Sequence, residues 1–213
     1  MQKLWRAIAW TAAILLGIGL LARALLLDVW TVPEDDARLT AAIAPTLSPG
    51  DTVIMLTRGA PGFGDLVRCA DPDDAKRFIV ARIAGTPGDN VEVDDSALHV
   101  NGHSYHSDRS CLESSFTVAH PTTGNAVDLT CDVVQMGSGW HYRVHASSSS
   151  PAAPVKAHVD ADMIYLLSDD RTFHDDSRDF GAVPRTSCKG LIFFKLWGKG
   201  GFADEKQRFL AIH

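Results

Sequence analysis

The 213-residue chain has no Cys-x-x-Cys pair, no His/Cys spacing typical of a zinc site and no internal repeat. It also lacks a basic excess, because 20 Lys and Arg stand against 26 Asp and Glu. These absences argue against a structural zinc site and against a nucleic-acid-binding surface, which needs a basic patch. His103 and His106 lie close together, but in a turn-like NGHSYH segment that predicts solvated surface. We therefore expect no metal, no cofactor and no nucleic-acid partner.

Helical periodicity of useful length is missing between residues 40 and 200. Short apolar segments bounded by Gly, Pro and Asn take its place, as in DTVIML, RFIVARIAG and GLIFFKLW. Asp94-Asp95 and Asn101-Gly102 predict tight turns, and SSSSPAAP (147–154) predicts a surface loop. Many short strands separated by turns predict a mainly β domain.

Residues 7–27 form a long apolar run whose only charge is Arg23. About 20 apolar residues suffice to span a bilayer as a helix. Basic residues precede this run and acidic residues follow it, which places the N-terminus in the cytoplasm. The sequence thus predicts a single uncleaved transmembrane helix in a bacterial inner membrane, with the main domain in the periplasm. A cleaved signal peptide and a buried soluble helix are the alternatives.

This organisation predicts an anchor over residues 1–28, a β domain over 29–200 and a C-terminal segment, 201–213, that forms a short helix or a tail. Four cysteines fit an oxidising compartment. Cys111 and Cys131 bracket a polar, hairpin-like stretch, and we expect them to form a disulfide. Cys69 and Cys188 are left over, and the sequence leaves their pairing open.

Three motifs occur in a fixed order after the apolar run: APTLSPGD (44–51), ARIAGTPGD (81–89) and SDDRTFHDDSRDFGAVP (168–184). Together with the final GLIFFKLW, they resemble the boxes of type I signal peptidases, membrane-anchored serine proteases that remove leader peptides. The resemblance covers most of residues 42–197. It implies a signal-peptidase-like β domain in which residues 103–158 are a family-variable insertion.

The family works by a Ser/Lys dyad, in which serine attacks the scissile carbonyl and an unprotonated lysine accepts its proton. The resemblance places the serine on Ala42 and the lysine on Ala81. A methyl group has no lone pair, so neither residue can act as nucleophile or base. The same resemblance marks a group of residues near Ala42 as oxyanion or groove candidates: Thr40, Ile43, Pro45 and Thr46.

Charged and polar residues surround these alanines, and most of them match the family, whereas His174 stands where the family has a small residue. The resemblance assigns them structural roles near the site, as Asp/Arg pairs and loop braces: Arg82, Asp169, Arg171, His174, Asp176, Ser177 and Arg178. His174, Asp176 and Ser177 also invite comparison with a Ser-His-Asp triad. Their closeness in sequence does not support a triad, since triads are assembled from distant segments, and loop polarity is the favoured interpretation.

Three hypotheses follow. The first is an inactive signal-peptidase-like protein that binds leader peptides, or that serves as a non-catalytic subunit of an envelope complex. The second is an active signal peptidase whose dyad was engineered to alanine, or in which an unusual pair acts. The third is an anchored β domain without a peptide groove. Ile43, Ser168 and His174 depart from the family pattern at positions that an experimenter would leave alone, which favours a natural origin for the alanines.

Overall fold

The computed structural model describes residues 2–94, 97–137, 139–146 and 153–212, without the side chains of residues 2–4, 7, 22, 24 and 108. It contains three α-helices: α1 (Gln2–Leu26), α2 (Ala37–Ile43) and α3 (Ser177–Phe180). The described strands are β1 (Leu27–Thr31), β2 (Thr52–Leu56), β3 (Leu66–Ala70), β4 (Phe78–Gly85), β5 (Asn90–Asp94), β6 (Ala97–Val100), β7 (His103–Tyr105), β8 (Ser107–Ala119), β9 (Ala126–Met136), β10 (Gly139–Ala146), β11 (Val155–His158), β12 (Met163–Leu167), β13 (Val183–Pro184), β14 (Cys188–Trp197) and β15 (Leu210–Ala211). The expected mainly β architecture is confirmed.

Helix α1 contains most of the apolar run and leaves its large side chains exposed, including Trp5, Trp10 and Leu16. In the part of the chain that the structure describes, no helix has the length and apolarity that a membrane span requires. The helix ends at Leu26, two residues before the predicted boundary. Residues 27 and 28 already belong to β1, which pairs with β2.

The largest sheet has the strand order β1-β2-β14-β3-β4-β12-β13, with β15 paired to β14. Strand β4 lies inside this sheet, and all of its residues except Phe78 are buried. Its sequence, FIVARIAG, is apolar apart from one arginine, as expected for a strand that is covered on both faces. This strand therefore presents Ala81 and Arg82 to the interior of the domain.

Two smaller antiparallel sheets complete the domain, one of order β10-β9-β8 and one of order β11-β5-β6-β7. The turn predicted at Asn101-Gly102 is confirmed, with φ angles of 52° and 80° between β6 and β7. Positive φ at both central residues is the signature of a tight hairpin turn, which Asn and Gly tolerate. Asp94 of the first predicted turn ends β5, whereas Asp95 and most of the predicted loop at 147–154 lie outside the described residues.

Helix α2 is short, and the apolar side chains on one of its faces pack into a core cluster. Leu39 and Ile43 of α2 and Leu47, just beyond it, pack with Val53 and Met55 of β2. Asp36 caps the helix by accepting a hydrogen bond from the Leu39 backbone N–H at 3.0 Å. The segment just before the proline-rich motif is therefore helical and fixed to the main sheet.

Both cysteine pairs form disulfides. The predicted Cys111–Cys131 bond is confirmed and ties β8 to β9. Cys69 and Cys188, which the sequence left open, are bonded across the neighbouring strands β3 and β14. The second bond joins residues 119 positions apart, so it constrains most of the β domain.

The C-terminal segment is part of the fold. Residues 201–203 form a 3₁₀ turn, and β15 then pairs with Phe194 and Lys195 of β14. Ile212 packs against the core cluster that also contains α2. The predicted short helix or tail is thus an added edge strand in the described residues.

Removing the Cys69–Cys188 bond with Cys69→Ala and Cys188→Ala should destabilise the protein more than removing Cys111–Cys131. In the chain-entropy description the 119-residue loop is worth about 5 kcal/mol and the 20-residue loop about 3 kcal/mol. Chemical denaturation of the two double variants measures the free energies of unfolding. A larger loss for the Cys111/Cys131 variant would contradict this ranking.

Candidate functional site

The two alanines that the resemblance places at the reactive positions are both inside the protein. Ala42 is near the end of α2 and Ala81 is in the middle of β4, and each is 1% exposed. Ala81 belongs to a buried cluster with Val67, Ile79 and Ile164. The structure therefore surrounds this position with apolar side chains and leaves it little access to solvent.

The segment that follows β12 lies directly over Ala42 at residues 169–171, and we call these residues the covering segment. The backbone N–H of Asp170 donates to the carbonyl of Ala42 at 3.1 Å. On its other side this segment pairs with β10 of the predicted insertion: Val144 N–H donates to Asp169 O at 2.9 Å, and Arg171 N–H donates to Val144 O at 2.6 Å. The insertion is thus joined to the Ala42 region through one intervening segment.

The oxyanion and groove candidates near Ala42 do not form one set. Thr40 donates its hydroxyl hydrogen to the Asp36 carbonyl at 2.8 Å, so the expected oxyanion role does not fit this arrangement. Ile43 is 1% exposed and packs in the core. Pro45 is exposed, and the Thr46 hydroxyl donates to Asp169. Thr40 and Thr46 are thus occupied by hydrogen bonds and Ile43 by core packing, whereas Pro45 faces solvent.

Arg82 and Asp169 form a buried ion pair below Thr46. Arg82 Nε donates to Asp169 Oδ1 at 2.7 Å, and Arg82 Nη2 donates to Oδ2 at 3.3 Å. Arg82 Nη1 also donates to the carbonyl of Gly64 at 3.1 Å. Both charged residues are 2% exposed, and such a pair is stable only with near-complete hydrogen bonding. The pair fastens β4 to the segment that covers Ala42.

A second buried pair braces the loop that carries α3. Arg178 donates two hydrogen bonds to Asp176, at 3.0 and 2.8 Å, and a third to the carbonyl of Arg171 at 3.0 Å. Asp176 also caps α3 by accepting from the Arg178 backbone N–H. The Ser177 hydroxyl accepts from the backbone N–H of Leu166 at 2.9 Å.

The three residues that were compared with a Ser-His-Asp triad have different hydrogen-bond partners. His174 Nδ1 lies 2.8 Å from Asp179 Oδ2, while Asp176 is bound to Arg178 and Ser177 to a backbone N–H. His174, Asp176 and Asp179 are near enough for one metal ion, with ligand atoms within 4.8 Å of one another. Because Asp176 already neutralises Arg178, the arrangement is explained as loop bracing.

Arg77 is a bridging residue that the sequence analysis did not single out. Its guanidinium contacts the carboxylates of Asp36 at 3.1 Å, Asp71 at 2.7 Å and Asp175 at 2.6 Å. It therefore joins the N-cap of α2 to the turn before β4 and to the loop before α3. The acidic flank in DPDDAKR was a local signal for this role, but two of the three partners are distant in sequence.

Burial shifts the pKa values of two neighbours in the covering segment. Desolvation raises the pKa of Asp170 to about 6, against opposing hydrogen bonds from Phe173 and Thr172. Burial lowers the pKa of Arg171 to about 9, and the nearby Arg178 charge adds to this effect. A guanidinium with that pKa remains protonated at neutral pH and offers no base to replace the missing lysine.

The comparison with known families identifies the chain. The sequence profile described as "Signal peptidase, peptidase S26" matches residues 5–197, so the chain belongs to the signal peptidase family. Twenty chains of solved structures match, among them a signal peptidase I from Enterococcus faecalis V583. That protein is 22% identical, with a TM-score of 0.41, over 62% of this chain and 97% of its own. The curated proteins contain no match.

Replacing the buried carboxylate with Asp170→Asn should stabilise the protein at neutral pH. The folded pKa of about 6 lies above the value of about 3.9 expected in the unfolded chain, so the unfolded state releases this proton first. The group's contribution to stability is therefore lost as pH rises from about 4 to about 6, by about 3 kcal/mol in total. The variant keeps Oδ1, which accepts from Thr172 and Phe173.

Urea unfolding at pH 4, 5, 6 and 7 measures this effect. The variant and the parent should have similar stability near pH 4, and the variant should be the more stable one above pH 6. Asp94→Asn, at an exposed strand end, is the matched control and should leave the profile unchanged. A difference that is constant with pH would contradict the assignment.

Proposed function

We propose that this protein is a non-catalytic member of the signal peptidase family that serves as a membrane-anchored subunit of an envelope protein complex. The observation that carries the proposal is the burial of both alanines: Ala42 lies beneath the Asp169–Arg171 segment, and Ala81 is enclosed by an apolar cluster of the main sheet. An open groove beside these residues would favour peptide binding, whereas coverage by the insertion favours a structural role as a subunit of a complex. The contacts of β10 with the covering segment support the second alternative.

The proposed absence of catalysis follows from the side chains at positions 42 and 81. Hydrolysis by this family requires a nucleophilic oxygen and a proton acceptor, and a methyl group supplies neither. The cationic side chain next in sequence, Arg82, is bound to Asp169. Buried Lys195 is bound to Asp51 at 3.0 Å and to Gln207 at 2.9 Å. Neither residue is available as a substitute base.

Strand addition of a peptide beside Ala81 is also disfavoured. Ala81 pairs with Val67 of β3, and the next residue, Arg82, pairs with β3 on one side and with Leu167 of β12 on the other. A peptide that adds to a sheet needs a free strand edge. The pairing of Arg82 on both sides limits the strand edge that is available beside Ala81 and supports partner binding on the outer surface of the domain over leader-peptide binding there.

The anchor is the second part of the proposal. Helix α1 exposes a nearly continuous set of large apolar side chains, which water does not favour: Trp5, Ile8, Trp10, Ile14, Leu15, Leu16, Ile18, Leu20, Leu21, Leu25 and Leu26. Lipid would cover this surface. With Lys3 and Arg6 before the apolar run and Asp28 after it, the charge asymmetry favours a cytoplasmic N-terminus and a periplasmic β domain.

Restoring the dyad with Ala42→Ser and Ala81→Lys should not produce cleavage of a leader-peptide substrate. Ala81 is enclosed by a packed cluster, so a lysine there has no room for its four methylenes and no partner for its charge. We expect Ala81→Lys to destabilise the fold by on the order of 3 kcal/mol or more. Ala119→Lys, at an exposed alanine of β8, is the matched control and should change stability by no more than about 0.5 kcal/mol.

The same assay separates the proposal from the alternative of an active peptidase engineered to alanine. Precursor processing is followed by mass spectrometry, with an active signal peptidase as positive control. Cleavage by the double variant, absent in Ala42→Ser alone, would establish an intact site that had been disarmed and would refute the proposal.

Deletion of residues 2–26 should release the protein from the membrane. The full chain should remain in the membrane pellet after carbonate extraction, whereas the shortened chain should appear in the soluble fraction. Both disulfides lie in the retained part, so the shortened chain can be checked for correct folding through their formation. Recovery of the folded full chain in the soluble fraction would contradict the proposed anchor.

A further inference from the structure

His141 is a buried polar residue that neither the fold nor the proposed function explains. It lies in β10, is 2% exposed, and its Nε2 atom has no hydrogen-bond partner among the described residues. A buried polar atom without a partner is destabilising, since it has lost its hydration and gained no hydrogen bond. An apolar side chain of similar size would avoid this cost.

His141 lines a cavity of about 210 Å³ between β10, the segment after α2 and the C-terminal strand. We call it the His141 cavity, and its polar and aromatic lining is Thr46, Arg82, Trp140, His141, Tyr142, Lys195 and Gln207. A second cavity of about 170 Å³ shares Arg82, Trp140 and His141 with it. His141 therefore contributes to the wall of a space that can hold a small ligand, and its unpartnered Nε2 is itself buried at this wall.

The charges around the His141 cavity favour an anion. Arg82 and Lys195 both line it, whereas the carboxylates that pair with them, Asp169 and Asp51, do not. Among the described residues, no Asp or Glu side chain contributes to this wall. The cationic ends of two ion pairs thus face the cavity, and their anionic ends lie away from it.

The protonation state of His141 agrees with this arrangement. Burial lowers the pKa of His141 well below its usual range, and the charges of Arg82, Arg171 and Arg143 lower it further. The ring is therefore neutral at physiological pH, and one of its tautomers presents an N–H at Nε2. That N–H could donate to a ligand oxygen.

We propose that the His141 cavity binds a carboxylate group, supplied by a small organic acid or by the free C-terminal end of a peptide chain. Because Arg82 and Lys195 are already in ion pairs, the remaining positive potential suits one negative charge better than a phosphate dianion. The half-exposed ring of Trp140 lies edge-on to Tyr142 with centroids 5.5 Å apart, and offers an apolar contact for a short body attached to the carboxylate. This inference goes beyond the proposed function and does not depend on the absence of catalysis.

The test uses the full chain in detergent micelles and four probes: acetate, N-acetyl-alanyl-alanine with a free carboxylate, the same dipeptide as its C-terminal amide, and inorganic phosphate. Binding is followed by the ¹⁵N chemical shifts of the histidine rings and of the Trp140 indole. We expect saturable shifts at His141 with both carboxylates, and at least tenfold weaker binding of the amide and of phosphate.

The probes also separate the two sources of the carboxylate. A dipeptide acid that binds at least tenfold more tightly than acetate indicates a peptide C-terminus, whereas equal or tighter binding of acetate indicates a small organic acid. Equal binding of the dipeptide acid and its amide, preferential binding of phosphate, or no change at His141 with any probe would each overturn the proposal.

Two variants distinguish a ligand site from a structural defect. His141→Phe removes the unpartnered nitrogen, so it should fold with unchanged or higher thermal stability and lose at least tenfold in carboxylate affinity. Trp140→Ala removes the apolar contact and should weaken the dipeptide acid more than acetate. His103→Phe, at an exposed histidine of β7, is the control and should bind like the parent. Carboxylate affinity that survives His141→Phe would contradict the site.

Discussion

The buried pair of Arg82 and Asp169 is the interaction on which the rest of the domain depends. Its carboxylate binds the guanidinium from β4 and the hydroxyl of Thr46 after α2, while the Asp169 backbone carbonyl accepts a hydrogen bond from Val144 in the insertion. One residue therefore joins its own segment to three other parts of the chain. Loss of either charge would leave its partner buried and unpaired, which typically costs about 3–5 kcal/mol.

Under the proposed function, this brace explains how a peptidase scaffold can persist without its reactive groups. The charged residues that the family resemblance marks near the site act here on backbone groups and on each other, as Arg178 does with Asp176 and the Arg171 carbonyl. None of these contacts involves Ala42 or Ala81 side chains. Under the proposed function, selection for a stable, partner-binding domain would retain the braces, whereas the nucleophile and base would be free to become small apolar residues that pack well.

The sequence predicted the local features and missed the long-range ones. Asn101-Gly102 and the Cys111–Cys131 hairpin depend on residues close in sequence, so their patterns were readable. The Cys69–Cys188 bond depends on the neighbouring positions of β3 and β14 in the sheet, which single-sequence patterns do not give. The docking of β10 on the covering segment uses backbone hydrogen bonds, which leave no side-chain signature at all.

Two buried polar residues of this region, Asp170 and His141, differ in the hydrogen bonds that the fold offers them. Asp170 lies unfavourably deep for a carboxylate, yet its Oδ1 accepts two backbone N–H groups that start the next turn, so the fold uses it. His141 offers no comparable contact through Nε2, and three arginine charges act against its protonation. A residue that costs stability and braces nothing through that atom is best explained by a molecule outside the chain, and the cavity beside it has the size and polarity to hold one.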